Sequence, residues 1–164
     1  AQQALEPKEF MVRANQALKY CLERGSFISG TYFVVDSEER KIYYSRAGHC
    51  RVLMYRSIDH KGEYLVDKGA ALGMVKGKDF CNFVETRSLS YGGGDLMVLY
   101  TDVMTEAKDP RGEEFGLDLL KKTIEEVATQ NPKEITDHLI GKLYQYTGTE
   151  EINDDYTTMI VKFK

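Results

Sequence analysis

The sequence predicts an α+β fold, with antiparallel strands in the sheets and helices outside them. Three observations predict it. Short runs of β-branched and aromatic residues succeed one another across turn-rich intervals, as in antiparallel hairpins. Helical periodicity is confined to an N-terminal stretch and to the region after Gly116. One run, Leu96-Met97-Val98-Leu99-Tyr100, is apolar without interruption and is expected to be a strand buried on both faces.

Pro7 suits the first turn of a helix, where its missing N–H costs nothing. Met11, Ala14, Leu18 and Cys21 or Leu22 follow at helical spacing, so residues 7–23 read as an amphipathic helix stopped at Gly25. Residues 31–35 and 41–46 read as strands of a hairpin turned at 36–40. Further strands are expected at 51–55, 63–66 and 82–89. Gly92-Gly93-Gly94-Asp95 is a turn signal, and residues 95–101 form the sixth strand. Leu117, Leu120, Ile124 and Val127 mark a helix that Asn131-Pro132 breaks. Ile135, Leu139, Leu143 and Tyr144 mark the next, and 156–163 is the last strand. No repeat or linker interrupts the 164 residues, which are expected to form one domain.

Hydrophobic residues make up 42% of the chain and charged ones 29%, as in soluble globular proteins. The net charge of −4 offers no basic excess to replace phosphate counterions, which argues against nucleic acid as a partner. Cys21, Cys50 and Cys81 are widely spaced and form no Cys-x-x-Cys pair. Reduced thiols in the cytoplasm are expected, and no apolar run approaches a membrane span. The chain opens on Ala rather than Met, as expected of a piece cut from a longer protein.

Two acidic positions stand out. Thr101-Asp102 places a carboxylate where the buried strand emerges, and Asn153-Asp154-Asp155-Tyr156-Thr157 leads into the last strand. On spacing alone these are either solvated acids capping turns or the carboxylates of a two-metal Mg²⁺ or Mn²⁺ site. Asp155 alternates to the opposite side of Asp154 and is the weaker ligand candidate. His49 reads as structural, and His60 and His138 as solvent-facing. The segment 108–114 reads as a solvated turn or as a contact for a protein substrate, with Arg111 able to attract a phosphate. No Gly-x-Ser-x-Gly elbow, Gly-x-x-x-x-Gly-Lys loop or Cys-x5-Arg loop supplies a competing enzyme class.

The stretch Gly94 to Ala107, the following Gly112-Glu113-Glu114-Phe115-Gly116, and Asp154-Asp155-Tyr156-Thr157 resemble the bacterial stage-II-sporulation-E/sigma-regulator phosphatases. These are a branch of the metal-dependent, PP2C-type serine/threonine protein phosphatases. Ala47-Gly48-His49, Leu53-Met54-Tyr55-Arg56 and Ala71-Leu72-Gly73-Met74 fall in the family's order.

The resemblance implies a PP2C-like sandwich of two antiparallel sheets flanked by helices. It implies Asp102 and Asp154, with Asp155, as ligands of Mn²⁺ or Mg²⁺. It also implies hydrolysis without a covalent phosphoenzyme, on a phosphorylated protein substrate of the anti-sigma-factor antagonist type, with a sensory or receiver domain upstream. Two departures accompany it. Val103 stands where the family has Gly, so a strained or reshaped loop is expected there. The family's opening Gly-Asp-x-x-Asp strand has no counterpart before Phe27, so the chain is expected to be the C-terminal portion of the family domain and, without that strand's acid, to bind metal weakly and hydrolyse phosphoserine near background. Uncovered sheet edges would then favour self-association, and a non-catalytic binding module with an incomplete metal site is the alternative function.

Overall fold

The computed structural model describes residues 6–18, 20–75, 77–149 and 155–164. In chain order the elements are α1 (Pro7–Leu18), β1 (Gly30–Asp36), β2 (Lys41–Ala47), β3 (Leu53–Arg56) and β4 (Lys61–Tyr64). A 3-10 turn, Gly77–Asn82, precedes β5 (Arg87–Ser90) and β6 (Leu96–Tyr100). Helices α2 (Val103–Glu106), α3 (Gly116–Val127) and α4 (Pro132–Thr147) follow, and β7 (Thr158–Lys162) is last. All strand pairs within the two sheets are antiparallel, so the α+β class is as expected. The chain divides into two compact units, one from residues 1–49 and 66–91, the other from 50–65 and 92–164.

The first unit is a three-stranded sheet ordered β1-β2-β5, with α1 packed on β1 and β2. Its core gathers Met11, Ala47, Leu72, Phe80 and Val84. Asn15 is buried, and its amide is satisfied by donating to the Val75 carbonyl at 3.0 Å and accepting from the Gly73 N–H at 2.7 Å. Those two bonds tie α1 to the loop after Leu72. Gly48 must be glycine: its φ is +67°, and a Cβ would lie 2.8 Å from the Ala71 nitrogen. Arg46 closes the same corner by an ion pair to Asp67 (3.1 Å) and a bond to the His49 carbonyl (2.6 Å). β1 is an edge strand.

The second unit is a four-stranded sheet ordered β4-β3-β6-β7. β6 therefore has a partner on each side, and Leu96, Met97, Val98 and Tyr100 are buried, as its unbroken apolar run predicts. Leu120, Ile124 and Val127 of α3 and Ile135, Leu139 and Leu143 of α4 supply the rest of this core. α4 begins in a reciprocal capping box between Asn131 and Glu134, with Pro132 in the first turn, and ends at Gly148 in the left-handed conformation. Lys162 reaches from β7 to the end of α3, where its ammonium donates to the carbonyls of Ala128, Thr129 and Gln130 at 3.0, 2.8 and 2.7 Å. These carbonyls belong to the C-cap, Ala128, and the two residues after it.

Three expectations are corrected. The first helix ends at Leu18 rather than continuing to residue 23; Tyr20, Cys21 and Glu23 are exposed and only Leu22 is partly buried, so little apolar burial supports further helix. The fourth strand runs 61–64 instead of 63–66, because the turn at 57–60 brings Lys61 directly opposite Arg56. The strand expected at 82–89 is confined to Arg87–Ser90. Phe80, in the 3-10 turn, and Val84, in the irregular segment after it, insert into the first unit's core, and the ladder with β2 starts only at Arg87.

Candidate functional site

Asp102 follows the C-terminal end of β6 and forms the N-cap of α2, its Oδ1 accepting from the Val103 N–H at 3.1 Å. Its carbonyl accepts from the N–H groups of Thr105 and Glu106 and from the Thr105 hydroxyl. The carboxylate is exposed. The loop strain expected from Val103 is absent: Val103 is the first residue of α2 and is not among the described non-glycine residues with positive φ, Arg40 and His60.

The β6–β7 register pairs Tyr100 with Thr158, and the ladder continues one residue further through Thr101. The Thr101 N–H donates to the Thr157 carbonyl at 3.0 Å, and the Thr157 N–H donates to the Thr101 hydroxyl at 2.9 Å. A side-chain oxygen thus takes the place of a backbone acceptor where the strands part. This two-point clamp brings Asp102 and Asp155, each attached to one of the clamped strands, to one end of the strand pair. Asp155 is exposed; Asp154 lies outside the described residues. Tyr156, next to Asp155, packs on the core, and its hydroxyl meets that of Tyr144 in α4 at 3.1 Å.

Exposed carboxylates are the hard oxygen donors that Mg²⁺ and Mn²⁺ take, so the donors at this end fit such an ion in kind. Among the described residues, no group of three or more His, Cys, Asp or Glu is placed to hold one. Burial, chiefly, pushes the neighbouring Tyr100 hydroxyl up to about 12, so it stays protonated at neutral pH and is no proton acceptor.

The other sequence candidates fall elsewhere. His49 Nδ1 pairs with the Ser29 hydroxyl at 3.0 Å within the first unit, in a structural corner as expected. His60 is exposed beside the Tyr55 hydroxyl, whereas His138 is half-buried, 3.4 Å from Glu126. The clamp is nearly silent in the sequence. A Thr preceding the candidate acid and another at the start of the last strand were its only sequence signal.

The family model for stage II sporulation protein E (SpoIIE) matches residues 1–164. The chain belongs to that family. The phosphoserine phosphatase RsbU of Bacillus subtilis (strain 168) is 24% identical over 160 residues, which cover 98% of this chain and 46% of RsbU. The SiaA-PP2C domain of Pseudomonas aeruginosa superposes with a TM-score of 0.80 at 20% identity, covering 97% of this chain and 61% of that one. The phosphatase domain of SpoIIE from Bacillus subtilis, presoaked with Mn, superposes with a TM-score of 0.66 at 16% identity, covering 99% and 76%. The SpoIIE-family chain thus has the PP2C-like fold and spans less than half of RsbU.

The clamp sets a test of its own. Thr101→Val is expected to weaken Mn²⁺ binding about tenfold, the usual scale for losing a group that orients metal ligands, while Thr101→Ser stays near wild type. Hydrogen exchange at the Thr157 amide should quicken in the Val variant without metal. Equal Mn²⁺ affinity in the three proteins would show that the clamp does not position the acids.

Proposed function

We propose that this chain is a metal-dependent protein serine/threonine phosphatase domain. Its substrate is phosphoserine or phosphothreonine on a small bacterial signalling protein of the anti-sigma-factor antagonist type. The observation that carries the reading is the delivery of Asp102 and Asp155 to one end of the β6–β7 pair, in a chain of the SpoIIE family. The name of RsbU, a phosphoserine phosphatase, supports the reaction.

Asp102, Asp154 and Asp155 are the ligands this chain would contribute to Mn²⁺ or Mg²⁺. Bound metal supplies an activated water and neutralises charge on the phosphate oxygens. The protein's part is to hold its carboxylates in place before the ion arrives. Asp102 is fixed by α2 on one side and β6 on the other, with Oδ1 on the Val103 N–H. The Thr101–Thr157 clamp sets its spacing from Asp155. A cytoplasmic setting agrees with the three free cysteines, and no described helix is long and apolar enough to cross a membrane. An upstream sensory or receiver domain belongs to the same reading.

The experiment is hydrolysis of a phosphoserine peptide by the native polypeptide as Mn²⁺ is added and then chelated. Turnover that rises with Mn²⁺ and falls with chelator supports the phosphatase. Peptide binding with no turnover at any Mn²⁺ concentration would instead support a non-catalytic module.

A further inference from the structure

The loop 108–114, which joins α2 to α3, is more highly built than a solvated turn. The Asp109 side chain is only 8% exposed. Its Oδ1 accepts the N–H groups of Arg111 (2.8 Å) and Glu113 (2.9 Å). The Asp109 N–H donates to the Glu113 carbonyl and the Gly112 N–H to the Asp109 carbonyl, both at 2.9 Å. An isolated bridge between Lys108 and Glu114 and a bond from the Phe115 N–H to the Ala107 carbonyl close the base. From α4, Tyr146 donates to the carbonyls of Glu113 and Glu114 and packs edge-on against Phe115. The bond from the Glu113 N–H, first, and those from Arg111 hold Asp109 below the usual carboxylate range.

What this frame presents is one guanidinium. Arg111 Nε donates to Asp109 Oδ2 at 3.1 Å, while the side chain as a whole is 85% exposed. Nε is thus engaged from behind, and neither terminal nitrogen has a hydrogen-bond partner among the described residues. An oriented pair of free Nη groups matches a carboxylate in a two-point fork.

The loop lies beside the Asp102-bearing segment. It leaves α2 directly after the helix that Asp102 caps. Pro110 bounds the space next to Gly148 at the C-cap of α4, 3.7 Å from where a Cβ there would stand. From Asp102 to Arg111 the backbone runs through one short helix and half of a tight loop, on the order of 10 Å, or about three residues of an extended peptide. Arg111 therefore meets a neighbour of the scissile group rather than the scissile group itself. Glu113 and Glu114, on the return side of the loop, disfavour a polyacidic ligand and suit the site to a single carboxylate.

We propose that Arg111 is a specificity residue that binds a carboxylate of the substrate protein a few residues from its phosphorylated side chain. This rests on the phosphatase reading for its context, and its test separates the two. Three substrates are compared in the native polypeptide and in R111Q: a phosphoserine peptide with one flanking Glu, the same peptide with Gln there, and an aryl phosphate. R111Q is expected to raise KM for the Glu peptide about tenfold, with kcat kept and the loss confined to that substrate. R111K, which keeps the charge but not the fork, should recover only part of it. Equal losses on all three substrates, or no loss on any, would overturn the proposal. Fluorescence anisotropy with a non-hydrolysable analogue of the Glu peptide gives a readout independent of turnover. Binding weakened tenfold by R111Q in a protein with no turnover would uphold Arg111 and reject the phosphatase, and unchanged binding would reject Arg111.

Discussion

Asp102→Ala is expected to abolish Mn²⁺-dependent hydrolysis of a phosphoserine peptide while leaving the fold intact. The fall in kcat/KM should be roughly 100-fold or more, since losing a charged ligand removes several kcal/mol of the charge stabilisation a metal provides. The side chain is exposed and its one hydrogen bond among the described residues is that from the Val103 N–H, so the thermal midpoint should move little. Asp102→Asn separates charge from shape: it can still accept that bond, yet it should lose most of the Mn²⁺ affinity. Isothermal titration with Mn²⁺ and a melting curve on each variant make the check. Wild-type turnover in Asp102→Ala would remove this residue from the site. A collapse of the melting temperature would make it a structural cap instead.

The second large effect concerns stability and lies at the other end of β6. Asp95 is 5% exposed and accepts four hydrogen bonds. Three come from the Ser57 N–H (2.8 Å), the Gly92 N–H (3.0 Å) and the Ser57 hydroxyl (3.1 Å), and the fourth from Arg56 Nη1 (3.2 Å). Burial alone would raise its affinity for a proton. The bonds from Gly92, Ser57 and Arg56 outweigh it and hold the carboxyl below its ordinary value. Asp95→Ala strands those donors and leaves the half-buried Arg56 with one fewer counter-charge. The expected cost is about 3 kcal/mol, which lowers the melting temperature by roughly 10 °C in a domain of this size.

The pH dependence follows from the sign of the shift. Because the folded value is depressed, Asp95 stabilises fully above the unfolded value near ~4 and progressively less as pH falls through the folded one. Wild type should therefore lose stability below about pH 4 more steeply than Asp95→Ala. Parallel pH–stability curves from urea denaturation would contradict that account.

How far the sequence spoke for itself varied with the physics at each place. β6 was legible because five consecutive apolar residues leave a strand no solvent side. The start of α4 was legible because Asn131-Pro132 acts through local geometry alone. β4 and β5 were misplaced because their residues alternate weakly; pairing with β3 and β2 decided their limits. Asp102 was recognisable as an acid at the end of a buried strand. Its clamp was not, because Thr101 and Thr157 are brought opposite one another only by the register of strands far apart in sequence. Asp95 was read as a turn residue, and its bond to the Gly92 N–H fits that. The bonds from Arg56 and Ser57 come from the end of β3 and the turn after it, far away in sequence, and carry no local signature.

The interleaving of the two units bears on how the chain is made. It passes from one unit to the other at residues 49–50, 65–66 and 91–92. During synthesis the first unit has all its strands once residue 91 has left the ribosome. The hairpin of β3 and β4 emerges earlier but has no interior partner until β6 appears, and β6 is itself one-sided until β7 arrives near the end of the described chain. A two-stranded hairpin is marginal in water, so the most apolar strand of the protein waits longest for its cover. β7 closes the sheet, brings Lys162 to the end of α3 and, through Thr157, aligns the acid-bearing ends. The same late event that buries the second core also assembles the candidate site.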